Sequence, residues 1–199
     1  MNADTRRHSR PDPRVLFLQD FLKRPREVGS IIPSSRFLER RIVRCAELRD
    51  ARTVVELGPG TGGTTRAVLR AMRPDAQLLV IEINRRFARV IRGSVHDSRL
   101  FVHTGSAACI TEIIEEHDLG APDVVLSGIP FSTMPQAVGI EILQGVHDAL
   151  APGGRFVAYQ VRDRVETLGR QVFGRARIQT ELLNVPPMRV FCWDKSGDT

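Results

Sequence analysis

From residue 53 onward, short apolar runs alternate with segments whose apolar residues recur at helical spacing. TVVEL (53–57) is a β-branched run that stops at a glycine-rich stretch, which predicts a strand and a tight turn. TTRAVLRAM (64–72) puts Ala67, Val68 and Ala71 on one helical face. QLLVIEI (77–83) predicts a buried strand, and NRRFARVIR (84–92) a helix capped by Asn84. LFVHTG (100–105) predicts a third strand with a helix near 109–117, and DVVLSG (123–128) a fourth strand. PQAVGIEILQGVHDAL (135–150) reads as a helix opened by Pro135 and stopped by APGG, followed by a fifth strand, RFVAYQV (155–161). RARIQTELLN (175–184) and MRVFCWD (188–194) form a last pair of strands. Strands alternating with helices build an α/β fold, a mostly parallel sheet covered on both faces. The short NVPP connection is too short for a crossover, so the last pair is antiparallel. Ligands of such sheets bind beyond the carboxyl ends of the strands, where the strand order reverses.

The segment before the core has a different pattern. In RVLFLQDFLKR (14–24), Val15, Leu18 and Leu22 share one helical stripe with Phe17 and Phe21 beside it, flanked by Arg14, Asp20, Lys23 and Arg24. A short aromatic stripe edged with cations suits an interfacial helix, and packing on the core is the other reading. VGSIIPSS follows as a turn, with Ser34 or Ser35 capping the helix FLERRIVRCAEL. The expected organisation is a disordered tail over 1–13, a helical N-terminal extension over 14–49 that folds back over the ligand site, and a core over 50–199.

Charge sharpens this picture. The net charge is +6, and residues 1–49 hold 12 Lys+Arg against 6 Asp+Glu while residues 50–199 hold 17 of each. The whole surplus therefore precedes the core, which suggests an anionic partner, nucleic acid or a lipid surface. Arginine supplies nearly all of it, a bias that genome composition would also produce. The 199 residues suffice for one ordinary core. No apolar run reaches the roughly 18 residues that span a bilayer. The first ten residues have no apolar stretch of the signal-peptide kind. Cys45, Cys109 and Cys192 are scattered, as are the histidines, so neither a disulfide framework nor a metal site is expected, and a reducing cytoplasm is.

The candidate chemistry begins at VVELGPGTGGTT. Gly58, Gly60, Gly62 and Gly63 leave backbone open to a ligand, and the next helix points its free N–H groups at the same spot. The G-x-G-x-x-G spacing alone is weak evidence, because a tight turn needs no ligand. Glu82 ends the second strand 24 residues after Gly58, where a carboxylate accepts from ribose hydroxyls. Its plainer role, a helix cap, is already filled by Asn84. Glu56 lies inside the first strand, a place suited to a ligand carrying an ammonium or sulfonium group unless it is an ordinary surface acid.

With ELGPGTG, VIEIN and LAPGGRFVAYQ, the sequence resembles the class I S-adenosylmethionine-dependent methyltransferases over about residues 52–194. The resemblance implies a Rossmann-like seven-stranded sheet and S-adenosyl-L-methionine as cofactor. It places the methionine moiety on Gly58, Pro59, Gly60, Thr61 and Gly62, the ribose on Glu82 and the adenine beside Ile83. Many members carry an aspartate after the third strand; here Ser106 stands there, with the Ala107 backbone beside it. The family's methyl-acceptor pocket follows the fourth strand. Adenine methylases carry N-P-P-Y or N-L-P-Y there, and this chain has Ser127, Gly128, Ile129, Pro130 and Phe131.

FLKRPREVGSIIPSS, VVELGPGTG, VVLSGIPFSTMP and LAPGGRFVAY together resemble the bacterial phospholipid N-methyltransferases, which methylate phosphatidylethanolamine toward phosphatidylcholine. This resemblance implies a peripheral enzyme on the inner face of the cytoplasmic membrane. Ser127, Gly128 and Tyr159 would serve the reaction, with Ser127 also near the cofactor. Ile32, Ser34, Ile129, Pro130 and Phe131 would meet the lipid, and Phe17, Phe21, Lys23, Arg24 and Arg26 the membrane. Tyr159 is the only tyrosine and fits a core position equally well. The rRNA adenine dimethyltransferases share the general core but usually carry the N-L-P-Y motif and a further C-terminal helical domain. Three readings follow: a lipid N-methyltransferase, a nucleic-acid methyltransferase, and a silent cofactor-binding or membrane-tethering protein.

Overall fold

The computed structural model describes residues 34–197. The expected tail over 1–13, the amphipathic segment 14–24, and the candidates Phe17, Phe21, Lys23, Arg24, Arg26 and Ile32 lie outside them.

Among the described residues, seven strands form one sheet: β1 (Thr53–Leu57), β2 (Gln77–Ile81), β3 (Leu100–His103), β4 (Val124–Ser127), β5 (Arg155–Gln160), β6 (Arg177–Glu181) and β7 (Met188–Asp194). Their order is β3-β2-β1-β4-β5-β7-β6. The first five pair in parallel, and β7 is antiparallel to both β5 and β6. This is the expected mostly parallel sheet ending in an antiparallel hairpin. The strand order reverses between β1 and β4, which opens a crevice at their carboxyl ends.

Among the described residues, six α-helices cover the sheet: α1 (Arg36–Ala46), α2 (Gly63–Ala71), α3 (Arg85–Ser94), α4 (Ile110–Glu116), α5 (Gln136–Ala149) and α6 (Arg164–Gly169). Successive strand residues face opposite sides, so each central strand feeds two cores. Val55, Leu57, Leu79 and Ile81 pack with Ile110, Ile113, Ile142, Leu143 and Val165 from α4, α5 and α6. Val54, Leu78 and Val80 pack with Leu38, Ile42, Val68 and Ile91 from α1, α2 and α3. Phe156, Phe191 and Trp193 stack near the antiparallel edge.

Local signals hold where chemistry dictated them. Ser35, rather than Ser34, caps α1 by accepting from the Leu38 N–H at 3.2 Å. Asn84 caps α3 by accepting from the Arg86 N–H at 2.9 Å. The sixth strand is shorter than the strand expected over 175–184. The Glu181 carboxylate accepts from the Leu183 N–H at 3.0 Å, and this side-chain turn ends the ladder. Helix α6 is not legible in the sequence, because RVETLG is too short to show a period.

Candidate functional site

The turn after β1 depends on left-handed backbone. Gly58 has φ +63°, Gly60 φ +62° and Gly62 φ +81°, a region that side chains with a Cβ avoid. At Gly58 a Cβ would also stand 3.1 Å from the Ile129 side chain, so the turns after β1 and β4 touch. Gly62 is the N-cap of α2, which leaves the helix's first N–H groups facing the crevice.

Glu82 holds this turn in place. It is buried just beyond β2, where one carboxylate oxygen accepts from the Gly60 N–H at 3.1 Å and the other from the Asn84 N–H at 2.8 Å. Burial raises its pKa, and the backbone donors Asn84, Gly60 and Ile83 oppose that rise. Ile83 is half-buried beside it. Ser106 sits one strand away, buried, and its hydroxyl oxygen accepts from the Ala108 N–H at 3.2 Å to cap a single helical turn that begins at Ala107.

Glu56 is no surface acid: its exposure is 0%. The Thr65 hydroxyl donates to one carboxylate oxygen at 2.5 Å, and the other has no hydrogen-bond partner among the described residues. Burial, with the nearby Glu82 charge adding to it, pushes the Glu56 pKa up to about 8 against the Thr65 hydrogen bond. A buried acceptor with an orphaned oxygen invites a donor. An ammonium group satisfies it and restores its ionised form.

Tyr159 is buried against the same point. A Cβ on Gly128 would come within 2.7 Å of its hydroxyl and 2.8 Å of the Gly58 carbonyl, so Gly128 is the narrow joint between the two turns. Burial, then the Glu56 charge, holds the phenol above its ordinary range, and a hydrogen bond with Thr64 opposes this. Tyr159 is therefore a neutral donor rather than a proton acceptor. Ser34 reaches the site through Thr64, with 3.5 Å between the hydroxyls.

The acceptor loop is tightly tied. Ser127 is fully buried, and its hydroxyl oxygen accepts from the Ile129 N–H at 3.3 Å. The Ile129 carbonyl accepts from the Gln160 side-chain amide, and the Pro130 carbonyl accepts from the Thr133 N–H at 3.0 Å and hydroxyl at 2.6 Å. Ile129 is buried, and Phe131 is fully buried in the core with α5 and α6. The structure thus gathers Glu56, Gly58, Pro59, Gly60, Thr61, Gly62, Glu82, Ser127, Gly128 and Tyr159 around one crevice. It does not bring the Phe131 ring to that crevice. Thr64 and Thr65 belong to the site although sequence reasoning passed over them. Their signal was two hydroxyls in the first turn of a helix that follows a glycine loop.

Comparison with known proteins decides what the crevice belongs to. The family model of ribosomal RNA adenine dimethylase matches residues 23–106. Ornithine lipid N-methyltransferase of Singulisphaera acidiphila is 32% identical over 174 residues, covering 86% of this chain and 91% of that protein. The chain belongs to the class I S-adenosylmethionine-dependent methyltransferases. It is related to the rRNA adenine dimethylases: ribosomal RNA small subunit methyltransferase A of Caulobacter vibrioides is 31% identical over 147 residues. That match covers 72% of this chain and 54% of the rRNA enzyme, so this methyltransferase spans about half of that relative. Among solved structures, N-methyltransferase NodS from Bradyrhizobium japonicum WM9 has a TM-score of 0.67 at 13% identity. It covers 82% of this chain and 97% of its own, and the likeness speaks for the fold. The cofactor of this methyltransferase is S-adenosyl-L-methionine. The glycine turn, Glu82 and the orphaned Glu56 oxygen fit its backbone-bound, hydroxyl-bearing and ammonium-bearing parts.

Proposed function

We propose that this methyltransferase N-methylates the amino headgroup of a membrane lipid, phosphatidylethanolamine and its methylated products, toward phosphatidylcholine. The observation that carries this reading is the match to a lipid N-methyltransferase over 91% of that protein's length. The acceptor loop supports it. Its only aromatic ring, Phe131, is buried in the core, so the loop offers a small amine backbone and hydroxyl groups rather than a stacking platform for a base. The relative's name also makes an ornithine headgroup, again a primary amine, a specific competitor for the same pocket.

S-adenosyl-L-methionine supplies an electrophilic methyl group. The chain's task is to hold the acceptor nitrogen in line with it, an orientation effect. Glu82 and the glycine turn fix one reactant; Ser127, Gly128 and Tyr159 line the approach of the other. The headgroup ammonium must first lose a proton, which passes to water, since Tyr159 stays protonated. Ser127→Ala should lower kcat several-fold and leave cofactor affinity nearly unchanged, because its hydroxyl shapes the turn at Ile129 and each such bond contributes about 1 kcal/mol. Equal turnover in the variant leaves the backbone and Tyr159 to orient the amine. Mass spectrometry of lipids from a phosphatidylcholine-free bacterium expressing the chain tests the reading directly. Mono-, di- and trimethylated ethanolamine lipids are expected, and an unchanged lipid profile contradicts it.

A second reading, base methylation in RNA, draws on the matched adenine dimethylase model. Its mark would be RNA binding that weakens steeply with salt, accompanied by methyladenine.

A further inference from the structure

The large apolar residues most exposed among the described ones are gathered at one tip. Leu182 is 72% exposed, Leu183 63% and Val185 88%, all in the six residues that join β6 to β7. Single exposed apolar residues are ordinary, but three within four positions on one turn form a patch. Pro186 and Pro187 extend it, also exposed.

The tip is held rather than loose. The Asn184 side-chain oxygen accepts from the Ser35 N–H at 2.9 Å, and its amide donates to the Pro186 carbonyl at 2.9 Å. Glu181 pairs with Arg41 of α1 at 2.9 Å, so the acid at the root of the tip is neutralised. These bonds seat the hairpin on the start of α1, whose Arg36, Arg40 and Arg44 are exposed and recur every four residues along one face. A groove lined by Phe37, Arg40, Arg41 and Leu183 joins the apolar tip to that basic face.

The topology places this surface at the reactive end of the molecule. Gln160, the last residue of β5, pairs with Arg189 at the start of β7. The residues just before β7 therefore lie at the carboxyl end of the parallel strands, the end that carries the glycine turn and the acceptor loop. Ser35 binds the hairpin while its neighbour Ser34 reaches Thr64. One short segment thus links tip and crevice.

We propose that the β6–β7 tip, with Leu182, Leu183 and Val185, inserts into an anionic lipid bilayer while the arginine face of α1 lies on its charged surface. Apolar side chains over cations match the layering of a bilayer interface, with acyl boundary inside and anionic headgroups outside. The surface rests on the lipid reading above for its purpose: it brings the crevice to the plane of the headgroups.

The test uses the full chain and vesicles of phosphatidylglycerol and phosphatidylcholine, which hold no primary amine. The triple variant L182S/L183S/V185S removes only exposed groups, so melting temperature and cofactor affinity serve as folding controls. Its partition onto these vesicles should weaken on the order of tenfold or more, given the apolar area withdrawn from the membrane. A Val185→Trp reporter should shift to the blue on vesicle addition and be quenched by bromine on the acyl chains, with buried Trp193 a constant background. Unchanged partition of the triple variant, or an unquenched reporter on vesicle-bound protein, overturns the proposal. So does a reporter already shielded from iodide without vesicles, which would mean that the chain's own N-terminal segment covers the tip. A reporter that responds to RNA and not to vesicles overturns it as well. Insertion is read here without catalysis. Bromine quenching on these vesicles, together with an unchanged lipid profile in the expressing bacterium, supports the docking and removes the lipid-substrate reading. Lipid methylation with the tip outside the bilayer does the reverse.

Discussion

Glu82→Ala should weaken S-adenosyl-L-methionine binding by about 1.5–3 kcal/mol, roughly ten- to a hundredfold, because a charged acceptor is lost from a buried site. Two losses combine. The carboxylate that would receive ribose hydroxyls disappears, and so does the group that holds the Gly60 and Asn84 N–H groups at 3.1 Å and 2.8 Å. The second loss loosens the glycine turn itself, since Gly60 stands in left-handed backbone that the carboxylate helps to fix. Glu82→Gln should recover part of the affinity, because the amide oxygen still accepts one of the two backbone bonds. Calorimetric titration of both variants checks this. Equal affinity for wild type and Glu82→Ala would remove Glu82 from the cofactor site.

The second large effect concerns Glu56 and pH. Its pKa stands at about 8 in the folded chain against 4.5 ordinarily. Between those values the folded chain holds a proton that the unfolded chain has released, so stability falls as pH rises through that window. The shift corresponds to a few kcal/mol, on the order of one and a half per pH unit. Glu56→Gln keeps the shape and the Thr65 hydrogen bond without the charge. The cofactor-free variant should therefore gain melting temperature relative to wild type at pH 8 and gain little at pH 5. Cofactor binding should release a proton from wild-type Glu56 below pH 8, because a cation favours the ionised form, and the variant should bind more weakly. Melting curves that differ by the same amount at both pH values would show that Glu56 keeps its ordinary titration.

What the sequence made legible follows from how local each signal is. Strand–helix alternation, the two caps at Ser35 and Asn84, and the short connection before β7 are short-range features, and the architecture follows from them. Glu56 and Glu82 were legible as a pair because a carboxylate inside a buried strand or at its end needs a partner. Phe131 shows the opposite case. Its motif position suggests an acceptor-facing ring, but the side chain turns into the core beside α5 and α6, and that direction is decided by tertiary packing. The bond from Thr65 to Glu56 and the seat of Asn184 on Ser35 join residues whose proximity only the fold creates; the second spans 149 positions. The hairpin tip was hidden for a related reason. RARIQTELLN reads as one strand, and only the turn made by Glu181 and Asn184 separates a paired strand from exposed leucines.

On the proposed reading, the methyl acceptor is a lipid amine. The measurement that tests it most directly is incubation of the full chain with methyl-labelled S-adenosyl-L-methionine, anionic vesicles containing phosphatidylethanolamine, parallel vesicles containing ornithine lipid, and ribosomal RNA in one reaction. Label extracted with the phosphatidylethanolamine is the predicted result. Label in the RNA as methyladenine, with none in either lipid, would contradict it.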